Sequence, residues 1–248
     1  VGASAAAITV NNSDGTCTAN LSNRQGKNLV VNGACLIAQR GTSSTSTGYQ
    51  TVDRFKTSVG GTDEAITQAQ VDLSSSDTPY SLGFRKAFKL TNGNQTSGAG
   101  ASDYGILTYS TEAQDVANSG WNYTDTNSKL TIQFWAKSSV AKTFILSLYT
   151  QDGTDYAYNH KYALAANTWT KITHTFIGNP NLTFDNDNGL GIQFQWIMFN
   201  GTTYSSGSTV DQWVVHNGYT STPDDTSDWW TTNDATFEIT GVQLEVGS

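Results

Sequence analysis

Apolar and polar residues alternate with period two along much of this chain. Between Lys129 and Lys137, Leu130, Ile132, Phe134 and Ala136 fall on one side and Thr131, Gln133 and Trp135 on the other. Leu190–Phe199 repeats the pattern, with Ile192, Phe194, Trp196 and Met198 opposed to Gln193 and Gln195. Successive side chains of a strand point to opposite faces, so this spacing marks half-buried β-strands. Tyr104–Ser110, Thr143–Thr150, Tyr156–Leu164, Thr168–Ile177 and Ala235–Val246 read as further strands, with Gln151-Asp152-Gly153-Thr154 as a hairpin turn. Upstream, Leu29–Val31, Cys35–Ala38, 64–73 and 80–90 read as strands. In the last of these, Tyr80, Leu82, Phe84 and Lys86 alternate against Ser81, Gly83, Arg85 and Ala87. Ala113–Asn118 reads as one helical turn before Gly120. Roughly ten strands, no βαβ alternation and no internal repeat predict an all-β antiparallel sandwich.

The first 27 residues differ from the rest. Two short apolar runs flank Asn-Asn-Ser-Asp-Gly, with Asp14-Gly15 as the turn dipeptide. A lone hairpin of this size has too little apolar surface to fold by itself. Residues 1–27 are therefore expected to be a small β segment packed on the main body or on copies of the chain, and residues 28–248 a single recognition domain.

Composition supports a strand-and-turn protein. Only 14% of residues are charged, and Ser, Thr, Asn and Gly fill the segments between apolar runs. The short polar side chains of Ser, Thr and Asn compete with a helical backbone for hydrogen bonds. The formal net charge of −8 disfavours binding to nucleic acid, whose phosphates an acidic surface repels. No apolar stretch approaches the ~20 residues that span a bilayer as a helix, so membrane insertion is not expected. Cys17 and Cys35 cannot form a zinc site by themselves, and both read as small buried side chains.

Catalytic patterns are sparse. The three histidines match no hydrolase or metalloprotease motif. His174 reads as structural, His160 as solvent-facing and His216 as a possible ligand contact. The carboxylates sit mostly in Gly/Asn/Thr-rich turns, where Asp satisfies local backbone groups. No enzyme activity is expected. The Asp185–Gly189 run resembles the start of an oxygen-ligand loop, but Trp196 stands where an EF-hand needs its last acidic ligand. No cofactor is expected.

Aromatics are more suggestive. Sugar rings present flat C–H faces that stack on Trp and Tyr, while amides and carboxylates bind the hydroxyls. The polar 201–234 stretch holds Trp213, His216, Tyr219, Asp228, Trp229 and Trp230, all candidates for contact with carbohydrate. If this stretch is extended, adjacent side chains point opposite ways, so one of the two tryptophans anchors the loop and the other is exposed. Trp121 and Tyr123 form a second pair, and Trp135, Gln133 and Gln195 are candidates for a shared sheet surface with Gln193. The alternative for Trp135 is cover by the N-terminal segment or a neighbouring chain.

Two stretches carry a family resemblance. Asn28-Leu29-Val30-Val31-Asn32-Gly33, continuing through Ala38-Gln39-Arg40-Gly41 to Asp53-Arg54-Phe55, resembles the opening of a domain found in marine bacteriophage tail-fibre proteins. Thr236-Phe237-Glu238-Ile239-Thr240-Gly241-Val242-Gln243-Leu244-Glu245 is similar to its closing strand. Leu130–Lys137 and Asn167–Lys171 fit the same family. More distantly, the pattern resembles jelly-roll carbohydrate-binding modules. The resemblance implies a two-sheet jelly roll, a host cell-surface glycan as ligand, a homotrimer associated with other virion tail proteins, and an extracellular place on the virion. It also implies that the opening and closing residues hold strands and turns rather than ligand. Many such modules hold a structural calcium near both chain ends. Here Ala34-Cys35 and Thr240-Gly241 replace residue types common at those places, which argues against the calcium.

Overall fold

The computed structural model describes residues 8–10, 17–19, 28–205, 207–216 and 222–247. Strands β1 (Ile8–Val10) and β2 (Cys17–Ala19) pair antiparallel with Val10 opposite Cys17. The Asp14-Gly15 turn lies outside the described residues.

The remaining strands build two six-stranded sheets. One contains, in order of pairing, β13 (Trp213–Val215), β10 (Tyr156–Leu164), β9 (Lys142–Thr150), β12 (Leu190–Asn200), β7 (Tyr104–Glu112) and β4 (Phe55–Gly60). The other runs β11 (Thr170–Ile177), β8 (Lys129–Ser138), β14 (Thr236–Val246), β6 (Lys86–Thr91), β5 (Thr67–Asp72) and β3 (Ser43–Ser44). All named pairings are antiparallel, and the architecture is a jelly-roll β-sandwich. The period-two stripes face the core as expected: Leu130, Ile132, Phe134 and Ala136 of β8 and Ile192, Phe194, Trp196 and Met198 of β12 are fully buried. Phe134 meets Trp196 edge-on at 5.7 Å across the two sheets, a favoured aromatic geometry.

Three upstream expectations are corrected. Leu29–Val31 and Cys35–Ala38 are not strands. Asn32 and Cys35 adopt positive φ (62° and 57°), which breaks any extended run. Side chains bind this loop instead. Asn28 Oδ1 accepts from the N–H groups of Val30 and Leu244, and Asn28 Nδ2 donates to the Val242 carbonyl. Gly33 sits so close to the closing strand that a Cβ there would lie 2.0 Å from the Val242 carbonyl oxygen. The opening and closing motifs therefore latch the two ends of the domain together.

The 80–90 strand is also only half correct. Pro79 starts a single turn, α1 (Thr78–Ser81), and Gly83 follows at φ 101°, so the ladder begins at Lys86. The 73–85 segment folds over the outer face of the second sheet, where Leu73, Tyr80 and Phe84 gather with Trp135 and Trp169. Trp135 is thus partly covered by the chain's own 73–85 segment. Ala113–Ala117 forms the expected short helix, α2.

Cys35 is a free, fully buried thiol, and burial pushes its pKa up to about 12. Because the thiolate is the reactive form, the native protein with Cys17→Ser should resist alkylation in mildly alkaline buffer. Denaturant should expose one thiol equivalent. Fast labelling of the native variant would contradict this packing.

Candidate functional site

The outer face of the first sheet carries a groove of about 620 Å³. One wall is the loop running from Gln39 to Arg54 ahead of β4, with Gln39, Arg40, Tyr49, Asp53 and Arg54. The floor and far wall come from the end of β7 (Ser110, Thr111, Glu112) and the start of β12 (Asn188 to Leu190, and Gln193). Tyr109 and Phe194 point into the core, so their neighbours Ser110 and Gln193 point outward into the groove.

The groove is polar and pre-ordered. Gln193 Nε2 donates to Ser110 Oγ at 3.1 Å, and Gln195 Nε2 donates to Gln193 Oε1 at 2.8 Å. Glu112 Oε2 accepts from Gln114 Nε2 at 2.7 Å. On the loop, Asp53 Oδ1 accepts from the Gln39 N–H at 3.2 Å and lies 3.5 Å from the Arg40 guanidinium. Arg54 is exposed and held at φ 76°. Asn32 Nδ2 donates to the carbonyls of Asp53 and Ile37, fixing the loop from beneath. Tyr49 stands 43% exposed at the rim. Planar amide, guanidinium and carboxylate groups beside one exposed aromatic ring suit neighbouring hydroxyls and a C–H face.

The described sequence candidates fall elsewhere, with one exception. Trp229 and Trp230 are both fully buried and offer no face to a ligand. The condition of an extended chain, under which one ring would face outward, is not met here. Ser227–Thr231 is a tight turn, with the Thr231 N–H donating to the Ser227 carbonyl at 2.9 Å. Asn92 Nδ2 clamps it by donating to the carbonyls of Trp229, Trp230 and Thr232. Both rings thereby enter the core, while Asp228 stays exposed on the outside of the turn. Trp121 is buried as well, packed with Tyr123 and Phe184 at one end of the sandwich. Tyr123 is half-buried in the same cluster. Tyr219 lies outside the described residues.

Trp213 bridges the sheets: its strand pairs with β10, and its indole N–H donates to the Ile177 carbonyl of β11 at 2.8 Å. His216 packs against Tyr149 with the two rings tilted at 50°, and burial lowers its pKa. Gln133 belongs to the second sheet and hydrogen-bonds Gln243 there. Gln133 and Trp135 therefore cannot share a surface with Gln193 and Gln195, which face outward from the opposite sheet. A smaller cleft of about 350 Å³ lies beside Gln133, Thr173 and Gln243. Among the described candidates, only Gln195 adjoins the groove, through its bond to Gln193.

Two other arrangements bear on chemistry. Lys142 and Asp225 form an ion pair at 2.9 Å, with both side chains 1% exposed. Burial is the largest influence on each, lowering the Lys142 pKa and raising that of Asp225. His160 is half-buried rather than solvent-facing. It points into the gap between the sheets and stacks on His174, with Asp211 beside both. Burial holds the His174 pKa down at about 4. In the Asp185–Gly189 loop, Asp187 Oδ1 accepts from the Gly189 N–H at 2.8 Å, a local turn bond.

The sequence matches no family model. No curated protein matches it. Among solved structures, a cyclase from Fischerella sp. TAU aligns with TM-score 0.49 and 10% identity, over 89% of this chain and 96% of that one. A CBM4 module aligns with TM-score 0.36 and 12% identity, over 77% of this chain and 94% of that one. A family 16 carbohydrate-binding module aligns with TM-score 0.33 and 11% identity, over 71% and 84% of the two chains. Likeness at this level concerns architecture, and the functional reading rests on the groove itself.

Proposed function

We propose that this chain is a non-catalytic glycan-binding module whose ligand lies in the groove between the 39–54 loop and the β7–β12 floor. The observation that carries this reading is the groove's lining: exposed planar polar side chains and Tyr49 around a cleft large enough for sugar residues. Its carboxylates, Asp53 and Glu112, already accept hydrogen bonds from Gln39 and Gln114, which suits holding hydroxyls better than proton transfer.

In its fuller form, the proposal is a receptor-binding head of a phage tail fibre that attaches to host cell-surface carbohydrate. Support comes from the resemblance described above; its opening residues Gln39-Arg40 and Asp53-Arg54, expected there to hold strands and turns, line the groove instead. A trimeric fibre would present three such sites, and multivalency would make individually weak contacts effective. Residues 1–27 would then belong to the shaft side of the head.

A glycan array with the purified chain tests the reading. Binding is expected, with Tyr49→Ala and Gln193→Ala each weakening it by roughly 1 kcal/mol, or about five- to tenfold. Both positions lie outside the core, so the variants should keep their unfolding midpoints. Failure of the folded protein to bind any glycan would point instead to a structural virion domain or a protein receptor.

A further inference from the structure

The edge of the sandwich between β10 and β11 brings together three side chains that the groove does not use. His160 comes from β10 in one sheet and His174 from β11 in the other, and their rings stack 3.8 Å apart at 21°. Asp211 comes from the segment leading into β13. Its Oδ1 lies 2.7 Å from His160 Nδ1 and 3.7 Å from His174 Nε2. His174 Nε2 is buried and has no hydrogen-bond partner among the described residues. One ligand atom from each residue falls within a 4.8 Å cluster.

The scaffold around these groups is built, not incidental. The Asp211 N–H donates to the Asn159 carbonyl at 2.7 Å. Two residues on, Trp213 joins β10 by pairing and β11 by its indole N–H. The strap that carries the carboxylate is thus fastened to the same two strands that carry the imidazoles.

We propose that His160, His174 and Asp211 form a binding site for a divalent transition-metal ion, which ties the two sheets together at this edge. Two imidazole nitrogens and one carboxylate suit zinc, nickel or copper. Calcium and magnesium prefer sets made only of oxygen. Bonds of about 2.0–2.1 Å place tetrahedral ligand atoms roughly 3.3 Å apart. The 2.7 Å contact must therefore open and the 3.7 Å gap close, each by about half an ångström. The rings must also tilt out of their stack so that both lone pairs aim at one point. Rotation about χ2 of histidine is soft enough to allow this. Asp211 is 51% exposed, which leaves solvent access for a water ligand.

The alternative is a stacked histidine pair hydrogen-bonded to an aspartate with no ion. The two are separated by titrating the untagged, chelator-treated chain with zinc and following the thermal midpoint and the binding heat. Cobalt serves as a spectroscopic stand-in. The proposal expects one equivalent bound, a raised midpoint and visible cobalt absorption of low coordination number. His174→Ala should lose these signals. Asp211→Asn, on a half-exposed strap, should keep the metal-free midpoint and still weaken binding more than about tenfold, the low end of what losing even a supporting partner costs. His216→Ala should change nothing. Absence of a midpoint shift and of cobalt absorption in the folded wild type would overturn the proposal. So would unchanged binding in both folded ligand variants.

Discussion

Trp230→Ala is expected to lower the unfolding free energy by about 3–5 kcal/mol, and Trp229→Ala by a similar amount. Trp230 is fully buried, packs on Phe199 at 5.3 Å and donates its indole N–H to the Gly98 carbonyl at 3.0 Å. Truncation removes a large apolar surface, leaves a cavity and strands that carbonyl. Equilibrium denaturation should show a lower midpoint with little change in slope, since the same surface is exposed on unfolding. Under native conditions any glycan affinity should persist in the fraction that stays folded. An unmoved midpoint with lost glycan binding would return these residues to the surface and refute their placement.

The second large effect concerns the buried ion pair. Lys142 Nζ donates to the carbonyls of Met198 (2.6 Å) and Thr226 (2.7 Å) and pairs with Asp225. Asp225 in turn accepts from the N–H groups of Asn200 and Thr226. Lys142 thereby ties β9 and β12 to the 222–230 segment. Burial works against both charges, as the opposite directions of their pKa shifts show. Each is tolerated only because the other is present. Lys142→Ala strands the carboxylate and should cost about 3–5 kcal/mol. The double replacement Lys142→Met, Asp225→Leu removes both charges and should recover much of that loss. Denaturant titration of the three proteins checks this. Equal losses in the single and double variants would mean that the lost hydrogen bonds, rather than the orphaned charge, dominate.

The physical reason for what could be read in advance is locality. A strand buried on one face writes its orientation into alternate residues, so β8, β9, β10, β12 and β14 were legible almost to their ends. Loops held by side chains leave no such trace. The Asn28 and Asn32 bonds that shape the opening segment reach to Leu244, Val242, Ile37 and Asp53, and only their geometry shows that Leu29–Val31 is not a strand. The Trp229-Trp230 pair was misplaced for the same reason: a turn clamped by Asn92, 137 residues away, sends both rings inward.

The groove illustrates a different limit. Gln39-Arg40 and Asp53-Arg54 stood out in the sequence, but as parts of an opening motif they read as structural. Only the fold shows that their loop flanks the outward side chains of β7 and β12. The histidine cluster joins residues from opposite sheets, and no spacing along the chain predicts that. His160 was misread because its own strand pattern does not reveal that its edge of the sandwich is closed by a strap.

The most direct measurement is an NMR titration of the isotope-labelled protein with a saccharide that it binds, following every backbone amide. The account predicts shifts concentrated at 39–54, 110–112 and 188–193, with Tyr49 and Gln193 among them. Shifts confined to the 207–224 region or to the Gln133 cleft, with the groove unmoved, would contradict it.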